Sequence, residues 1–289
     1  MKKPDFDRLG GNLPALKNIS ALIAIFGLIV LGIIWAGVFR QVEHERQAAF
    51  GEAVKETGNL ARAFAAQTLR TLQSADQLAL FVRRQYETAG PAAVPPAPYE
   101  QAGLGAFTVS VADENGDIVA GGQKPFLAGN IREREHFWVH MPADTGKLFI
   151  GKPVRDLSSG RWSLELTRRV NRPDGSFGGV VIIAVDPAYF SALYRRADPG
   201  RGAAVSLIGL DGVVRAWQSG AEFVAGQDLD KYGSALMKLL AESDAGHFLG
   251  ESGIDGVRRI TSFQALDEYP VAVSVGVAEE AALAAFAER

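Results

Sequence analysis

The sequence predicts an α+β protein in which a transmembrane helix leads into a long stalk helix and two tandem antiparallel sheets. Three observations predict it. Residues 19–39 carry no charge, residues 40–88 repeat apolar side chains at helical steps, and two later segments share a strand–turn–strand layout. The expected divisions are an N-terminal tail (1–18), the span (19–39), the stalk helix (40–88), a first sheet unit (89–197), a second sheet unit (198–277) and a closing helix (278–289).

The apolar run at residues 19–39 has the length of a membrane span. As a helix it would extend roughly 31 Å, which matches the roughly 30 Å hydrocarbon core of a bilayer. A cleaved signal peptide is the competing interpretation, but its apolar stretch is usually about 7–15 residues long. This run is longer and continues directly into a charged helix, so we expect an anchor.

Basic residues on either side of the span predict its orientation. Four precede it: Lys2, Lys3, Arg8 and Lys17. Arg40 and Arg46 follow it closely, which weakens the asymmetry. Because flanking Lys and Arg tend to stay in the cytoplasm, we expect a single-pass protein of a bacterial inner membrane, with a cytoplasmic N-terminus and a periplasmic or extracellular remainder.

The overall composition excludes several classes of function. The formal net charge is −3, so no basic field indicates nucleic acid as a partner. The chain contains no cysteine, which excludes disulfides, thiolate metal sites and cysteine catalysis. Enzyme signatures such as a nucleophile elbow, a phosphate-binding loop or an informative His/Asp/Ser trio are missing from the sequence. We therefore expect no enzymatic activity and no cofactor.

The stalk helix is predicted from alanine-rich, proline-free sequence with apolar steps of three and four residues. Its expected buried stripe is Phe50, Val54, Leu60, Ala61, Phe64, Thr68, Leu72, Ala75, Ala79 and Val82. Only the later half of this helix needs a core partner. The helix can serve simply as a core element, or it can also couple the domain to the membrane and form a homodimer contact.

Alternating segments separated by turn residues predict the two sheets. Asn115-Gly116, Asp174-Gly175 and Asp255-Gly256 are the strongest hairpin turns. Expected strands are residues 106–111, 117–120, 148–154, 161–168, 177–185, 205–218 (a hairpin), 247–250, 258–265 and 271–277, and expected helices are 188–195, 232–242 and 278–289.

The stretch from residue 130 to 194 resembles the double Cache sensor region of bacterial membrane receptors. It contains EREHFW (133–138), LFIGKPV (148–154), SGRWSLELTRRV (159–170), DGSFGGVVIIAVD (174–186) and PAYFSALY (187–194) in the order and approximate spacing of that family. The resemblance extends over about residues 40–282 and is weakest across the second sheet unit. It implies two PAS-like units, and it implies the sensor end of a histidine kinase, chemoreceptor or diguanylate cyclase.

The resemblance also implies a ligand and its binding residues. Such receptors usually bind amino acids or carboxylates in the membrane-distal unit, here the first. In the amino-acid-binding members an Arg, separated by one residue from two aromatics, holds the carboxylate, and an Asp after the last strand meets the amine. Arg134 matches the Arg, Phe137 the second aromatic and Asp186 the Asp, whereas His136 stands at the first aromatic place. Asp186-Pro187 is equally explained as a helix cap.

Three further side chains, His140, Ser163 and Glu165, complete the expected ligand site or have simpler explanations. His136 and His140 are four residues apart and share a face if the segment is helical, but no third ligand at suitable spacing indicates a metal. Ser163 and Glu165 lie on the polar side of an alternating strand, which faces either the pocket or solvent. We expect Trp217 and Phe223 to be core residues and Arg168 and Arg169 to be solvated at a hairpin end.

These observations favour a membrane-anchored sensor that binds a small solute, with ligand contacts from Arg134, His136, Phe137, His140, Ser163, Glu165 and Asp186. The alternative is a module that docks on a partner membrane protein without a small ligand. No output domain follows residue 289 in this sequence. We therefore expect either a truncated receptor or a stand-alone sensor that acts through a partner.

Overall fold

The structure is a computed structural model that describes residues 13–94, 107–121, 130–155, 160–195, 202–229 and 234–287. The side chains of residues 13–24, 192–195 and 285–287 lie outside this description. The chain divides into two compact units, Met1–Gly51 and Glu52–Arg289. Each is described by itself.

The N-terminal unit contributes the first part of helix α1, which runs from Leu13 to Ala89. Its apolar side chains between Ile25 and Phe39 are exposed to the surroundings, as the 66% exposed Trp35 shows. This is the one helix among the described residues that is long and apolar enough to cross a membrane. A candidate span is therefore present where the sequence predicts it.

The second unit contains the later part of α1, where most of the expected apolar stripe is buried. Ala61, Leu72, Ala75, Ala79 and Val82 are each at most 1% exposed. They join one core cluster with apolar residues from both sheets. The helical period predicted for this stretch is confirmed.

The first sheet has the strand order β2-β1-β6-β5-β3, with β4 also paired to β5. Its hairpins turn at Asn115-Gly116 and Asp174-Gly175, as predicted, and every pairing is antiparallel. Short helices α2 and α3 accompany it. The elements are β1 (Phe107–Ala112), β2 (Ile118–Gly121), α2 (Glu135–Trp138), β3 (Phe149–Ile150), β4 (Val154–Arg155), β5 (Trp162–Asn171), β6 (Phe177–Val185) and α3 (Ala188–Arg195).

The single strand predicted over residues 148–154 is instead two short strands, β3 and β4. Pro153 has no N–H to donate to a ladder. A side chain at Gly151 would approach the Glu165 carbonyl oxygen to 3.0 Å, and the Gly151 N–H donates to that oxygen at 2.9 Å. The chain therefore bends against β5 at this point.

The second sheet has the order β10-β11-β12-β7-β8-β9, again all antiparallel. The Asp255-Gly256 turn joins β10 and β11, and β9 was not predicted from the sequence. The elements are β7 (Ala204–Gly209), β8 (Val214–Ser219), β9 (Glu222–Val224), α4 (Ala235–Glu242), β10 (Ala245–Glu251), β11 (Arg258–Ala265), β12 (Val271–Ala278) and α5 (Glu279–Ala287). The α+β class is confirmed.

Each sheet packs one face against α1 and leaves the other for different contacts. In β5, Leu164 and Leu166 are fully buried in the cluster that contains the helix residues. In β11, the Ser262 hydroxyl lies 2.7 Å from that of Thr57 on α1. Strand alternation therefore gives each sheet an inner face on the helix and an outer face on the opposite side.

Arg168 and Arg169 are buried, so the expectation that they lie solvated at a hairpin end is wrong. Arg168 forms a two-pronged ion pair with Asp76 of α1, in which its Nη2 donates to Oδ2 at 2.8 Å. Arg169 donates to the backbone carbonyls of His140 and Met141. Both are 7% exposed, because these partners replace the water that an exposed guanidinium would bind.

Removing one charge of the Asp76–Arg168 pair should strongly destabilise the fold. We expect Asp76→Asn to lower the free energy of unfolding by about 3–5 kcal/mol, since it leaves a buried guanidinium without its counter-charge. Chemical denaturation measures this. The control is Glu268→Gln, which alters the exposed contact between Glu268 and Gln73 of the same helix and should cost less than about 1 kcal/mol. Equal costs for the two variants would contradict this assignment.

Candidate functional site on the first sheet

The outer face of the first sheet carries most of the predicted ligand residues. Thr108, Ala184 and Glu165 form one row across β1, β6 and β5. Ser163 lies two residues before Glu165 and Asp186 lies two residues after Ala184, so both lie towards the same end of these antiparallel strands. Helix α2 lies over this face beside the row. The structure therefore brings strand residues that are distant in sequence to one side of the sheet.

Arg134 and His136 stand at the start of α2, where Arg134 is the N-cap residue in extended conformation. The imidazole of His136 is buried, and burial followed by the neighbouring Arg134 and His140 lowers its pKa to about 4. His136 is therefore neutral at pH 7. The Arg134 guanidinium is half-buried and forms no hydrogen bond or ion pair with any residue that the structure describes.

His140 is held by a hydroxyl relay. The Thr167 hydroxyl donates to the His136 carbonyl oxygen at 2.9 Å, and the Nε2 atom of His140 lies 2.9 Å from the same hydroxyl oxygen. Since the hydroxyl proton goes to the carbonyl, Nε2 must be the donor to Thr167. Burial lowers the pKa of His140 to about 4. His140 thus has a structural partner at its Nε2 atom.

Phe137 points away from the row and into a small apolar cluster. It is fully buried with Ala112, Val180 and Ile182, and its ring meets Phe177 edge-on at 5.3 Å between centroids. This packing anchors α2 on the sheet. The predicted ligand contact of Phe137 remains untested, and its placement gives it a packing role.

Asp186 caps α3, the simpler of the two explanations offered by its sequence context. Its Oδ1 atom accepts a hydrogen bond from the Ala188 N–H at 2.8 Å, while the side chain stays exposed. Capping uses one carboxylate oxygen and leaves the other available. Ser163 and Glu165 are half-buried on the same face.

Two residues that support this site were not among the predicted ligand residues. Thr167 forms hydrogen bonds that link it to both histidines. Gly151 lets the backbone lie close to β5, because a side chain there would come within 3.0 Å of the Glu165 carbonyl oxygen and 3.7 Å of the His136 Cβ atom. Strand alternation places Thr167 on the polar face, which was the available signal. Nothing in the sequence indicated the close approach at Gly151. Within the described part of the chain, no group of three or more His, Asp or Glu residues is arranged to hold a metal ion.

Comparison with a protein family supports a sensor role. Residues 187–276 match the dCache_1-like family, described as a histidine kinase sensor domain. This match covers the second sheet unit, where the resemblance in the sequence is weakest. Comparison with curated proteins found no significant match.

Solved structures of sensor domains share the fold. The extracellular domain of rpHK1S-Z16, described as a histidine kinase, is 26% identical with a TM-score of 0.71, covering 81% of this chain and 97% of that one. The corresponding domain of mmHK1S-Z3 is 15% identical with a TM-score of 0.58, covering 83% and 98%. The ligand-binding domain of the Pseudomonas fluorescens chemoreceptor CtaA, solved with L-isoleucine, is 17% identical with a TM-score of 0.55, covering 83% and 98%.

The family match and the shared fold agree with the architecture of two tandem antiparallel sheets fed by one long helix. The resemblance to a double Cache sensor region is thereby confirmed. What the relatives bind is a property of those proteins and does not by itself identify a solute of this chain.

The two buried histidines should make the protein sensitive to acid. Their folded-state pKa values of about 4 lie below the ordinary value of 6.5, so the unfolded chain takes up protons first as the pH falls. The stability from neutral burial is therefore complete above about pH 6.5 and is lost towards pH 4, by up to about 3 kcal/mol per histidine. Denaturation at a series of pH values measures this loss.

The test is a double variant that carries His136→Gln and His140→Gln together. The control is His247→Gln, since His247 is exposed. The double variant should show a clearly shallower fall in stability between pH 6.5 and 4. The control should retain the full fall. An unchanged slope in the double variant would contradict the neutral burial of the two imidazoles.

Proposed function

We propose that the chain is a membrane-anchored sensor that binds a small carboxylate or amino acid on the outer face of the first sheet. Arg134 holds the carboxylate, with His136 beside it, and Glu165, Ser163 and Asp186 line the remainder. Ligand binding would shift the balance between conformations that differ at α2 and β5, and α1 would pass the change on because β5 packs against it.

The observation that carries this proposal is the free guanidinium of Arg134. The buried arginines Arg168, Arg169, Arg215 and Arg259 are each bound to carboxylates or carbonyl oxygens. Arg134 alone among the half-buried or buried arginines on this outer face lacks such a partner within the described residues. A guanidinium offers two parallel N–H donors that fit a carboxylate, and partial burial strengthens that pairing.

Acidic residues on the same face support an amino acid over a simple carboxylate. Asp186 is exposed beyond the end of β6, and Glu165 is half-buried in the adjacent strand. A ligand ammonium near these carboxylates and a ligand carboxylate on Arg134 would have complementary charges. The three sites of charge therefore favour a zwitterion.

Arg134→Ala should abolish binding of the solute. The experiment is a thermal-shift screen of amino acids and organic acids on the full chain, followed by calorimetry on each hit. We expect at least a hundredfold loss of affinity in Arg134→Ala, because the ligand carboxylate loses its charged partner in a half-buried site. Arg132→Ala is the matched control, since Arg132 is exposed two residues away, and it should bind normally. A screen without hits would favour docking on a partner protein, and an unaffected Arg134→Ala would show that Arg134 does not hold the carboxylate.

Asp186→Asn separates helix capping from ligand binding. Asparagine retains an oxygen that can accept the Ala188 N–H, so the cap and the stability should persist. The negative charge is removed, so affinity for an amino acid should fall about tenfold or more, while a carboxylate without an amine should bind unchanged. Parallel titrations with a matched pair of such ligands measure this. Equal losses for both ligands would show that Asp186 does not recognise an amine.

Membrane anchoring by residues 19–39, with the sheets outside the cytoplasm, is also part of the proposal. It is supported by the apolar, exposed helix at Ile25–Phe39 and by the extracellular sensor domains that share the fold. Homodimer formation through α1 is a further prediction from the stalk pattern.

The chain has no cysteine, so single introduced cysteines report its orientation directly. Ala241→Cys lies at an exposed position at the end of α4, and Lys3→Cys lies before the span. A membrane-impermeant maleimide should label residue 241 but not residue 3 in cells whose outer membrane is permeabilised. Labelling of residue 3 alone would show the opposite orientation, and labelling of both only after lysis would place the whole chain in the cytoplasm.

A further inference from the structure

A cavity of about 290 Å³ lies on the outer face of the second sheet. Its floor is formed by β7, β8, β11 and β12, and α4 with the turn at Ser252–Ile254 forms its cover. Its volume is close to the lower end of the range of about 300–1,000 Å³ for small-molecule sites. The cavity is on the face opposite α1, as the candidate site is in the first sheet.

The walls of the cavity are largely apolar. Trp217 lies on one side at 3% exposure, and Leu236 of α4 covers it from above. Both belong to a separate apolar cluster from the one that surrounds α1. Trp217 is thus a core residue, as its sequence predicts, and its side chain is also one wall of this cavity. These walls suit the apolar body of a small organic molecule.

Three hydroxyl groups lie along the floor. Ser206 and Ser274 are opposite each other in β7 and β12, and their oxygens are 2.6 Å apart. The pair carries two O–H protons, and their mutual hydrogen bond uses only one. Thr261 lies in the next strand, opposite Gly276. A side chain at 276 would come within 2.7 Å of the Thr261 hydroxyl, so glycine there keeps this group uncovered.

These hydroxyls have donor capacity that the protein does not use. Ser206 and Ser274 are 3% and 7% exposed. Beyond their mutual bond, neither they nor Thr261 make a side-chain hydrogen bond within the described residues. A buried O–H without an acceptor is costly. The floor therefore fits a ligand that presents a carbonyl or hydroxyl oxygen.

Among the lining residues that the structure describes, the cavity offers no free cation to an anionic ligand. Arg259 is the one arginine among them, and Asp255 holds it by two hydrogen bonds of 2.7 and 2.6 Å. The same guanidinium also donates to the Gly202 carbonyl and the Ser219 hydroxyl. A carboxylate placed here would lose its hydration without gaining a counter-charge. In this respect the cavity is the opposite of the site at Arg134.

We propose that the second sheet is a second, separate ligand site, selective for an uncharged small organic molecule with an apolar body and a carbonyl or hydroxyl group. The ligand body lies between Trp217 and Leu236, and its oxygen accepts the spare proton of the Ser206–Ser274 pair. This site stands on observations independent of Arg134, and either site can fail without the other.

Fluorine NMR of the full chain in nanodiscs, with 5-fluorotryptophan at its four tryptophans, separates the two sites. Trp217 lines the cavity, and Trp138 belongs to α2 on the first sheet; Trp→Phe variants assign both signals. The probes are benzamide and benzoate, which share a ring and differ in charge. We expect benzamide to shift the Trp217 signal in a saturable way and benzoate to leave it unchanged.

Matched variants test each part of the site. Ala235→Leu places bulk at the exposed mouth, where Ala235 lines the cavity, and should abolish the Trp217 response. Ala241→Leu makes the same change at the other end of α4 and should leave it intact. Ser206→Ala with Ser274→Ala should weaken benzamide about tenfold, the effect of one hydrogen bond that is well made.

Several results would overturn the proposal. They are a Trp217 signal that does not respond to benzamide, an equal response to benzoate, or an unchanged affinity in the double serine variant. A response that survives Ala235→Leu would place the probe elsewhere and would also reject this site. The Trp138 signal reports on the other site. A carboxylate bound at Arg134 is expected to shift the Trp138 signal while the Trp217 signal stays constant.

Discussion

The ion pair between Asp76 and Arg168 is the constraint on which the arrangement of the Glu52–Arg289 unit depends. It joins α1 to the interior strand β5 where both side chains are shielded from water. Tyr269 of the second sheet unit lies beside the same carboxylate; burial, followed by the charge of Asp76, raises the pKa of its hydroxyl to about 12. One acidic residue on the helix thus contacts elements of both sheet units. Since a buried charge cannot be left alone, the helix cannot slide along either sheet without breaking this junction.

This constraint explains which faces of the two sheets carry apolar side chains and which carry polar ones. The inner faces are committed to α1 through Leu164, Leu166 and the Thr57–Ser262 contact. Polar residues are consequently concentrated on the outer faces, where short helices cover them only in part. The two outer faces differ in charge. Within the described residues, the first presents a guanidinium without a protein partner, whereas the buried Arg259 of the second is already paired with Asp255. The two proposed sites would therefore favour different chemical classes of ligand.

The spacing of apolar residues and the turn dipeptides were sufficient to predict the class of fold and most strands. Both are local signals, because alternation and Asn-Gly or Asp-Gly turns can be read from a few neighbouring residues. Burial of Arg168 was not predictable in this way, since its partner lies 92 residues earlier in the chain. Among the predicted ligand residues of the first sheet, Arg134, Phe137 and Asp186 came from a resemblance, whereas Ser163 and Glu165 came from strand alternation. The cavity on the second sheet left no signal in the sequence. Its floor consists of small residues from three strands that only the pairing register of the strands brings together: Ser206, Thr261, Ser274 and Gly276.

The contact between Trp162 and Gly226 has a mechanical consequence for the two sheet units. Arg155 lies over the Trp162 ring at 4.3 Å, and a side chain at Gly226 would come within 3.0 Å of the ring edge. Gly226 also has a φ of 78°, which disfavours other residues. The indole thus acts as a spacer of fixed thickness at the start of β5. Position 226 should tolerate only glycine for as long as position 162 remains a tryptophan. A smaller ring at position 162 would leave a gap at this contact and make the two sheet units more mobile relative to each other.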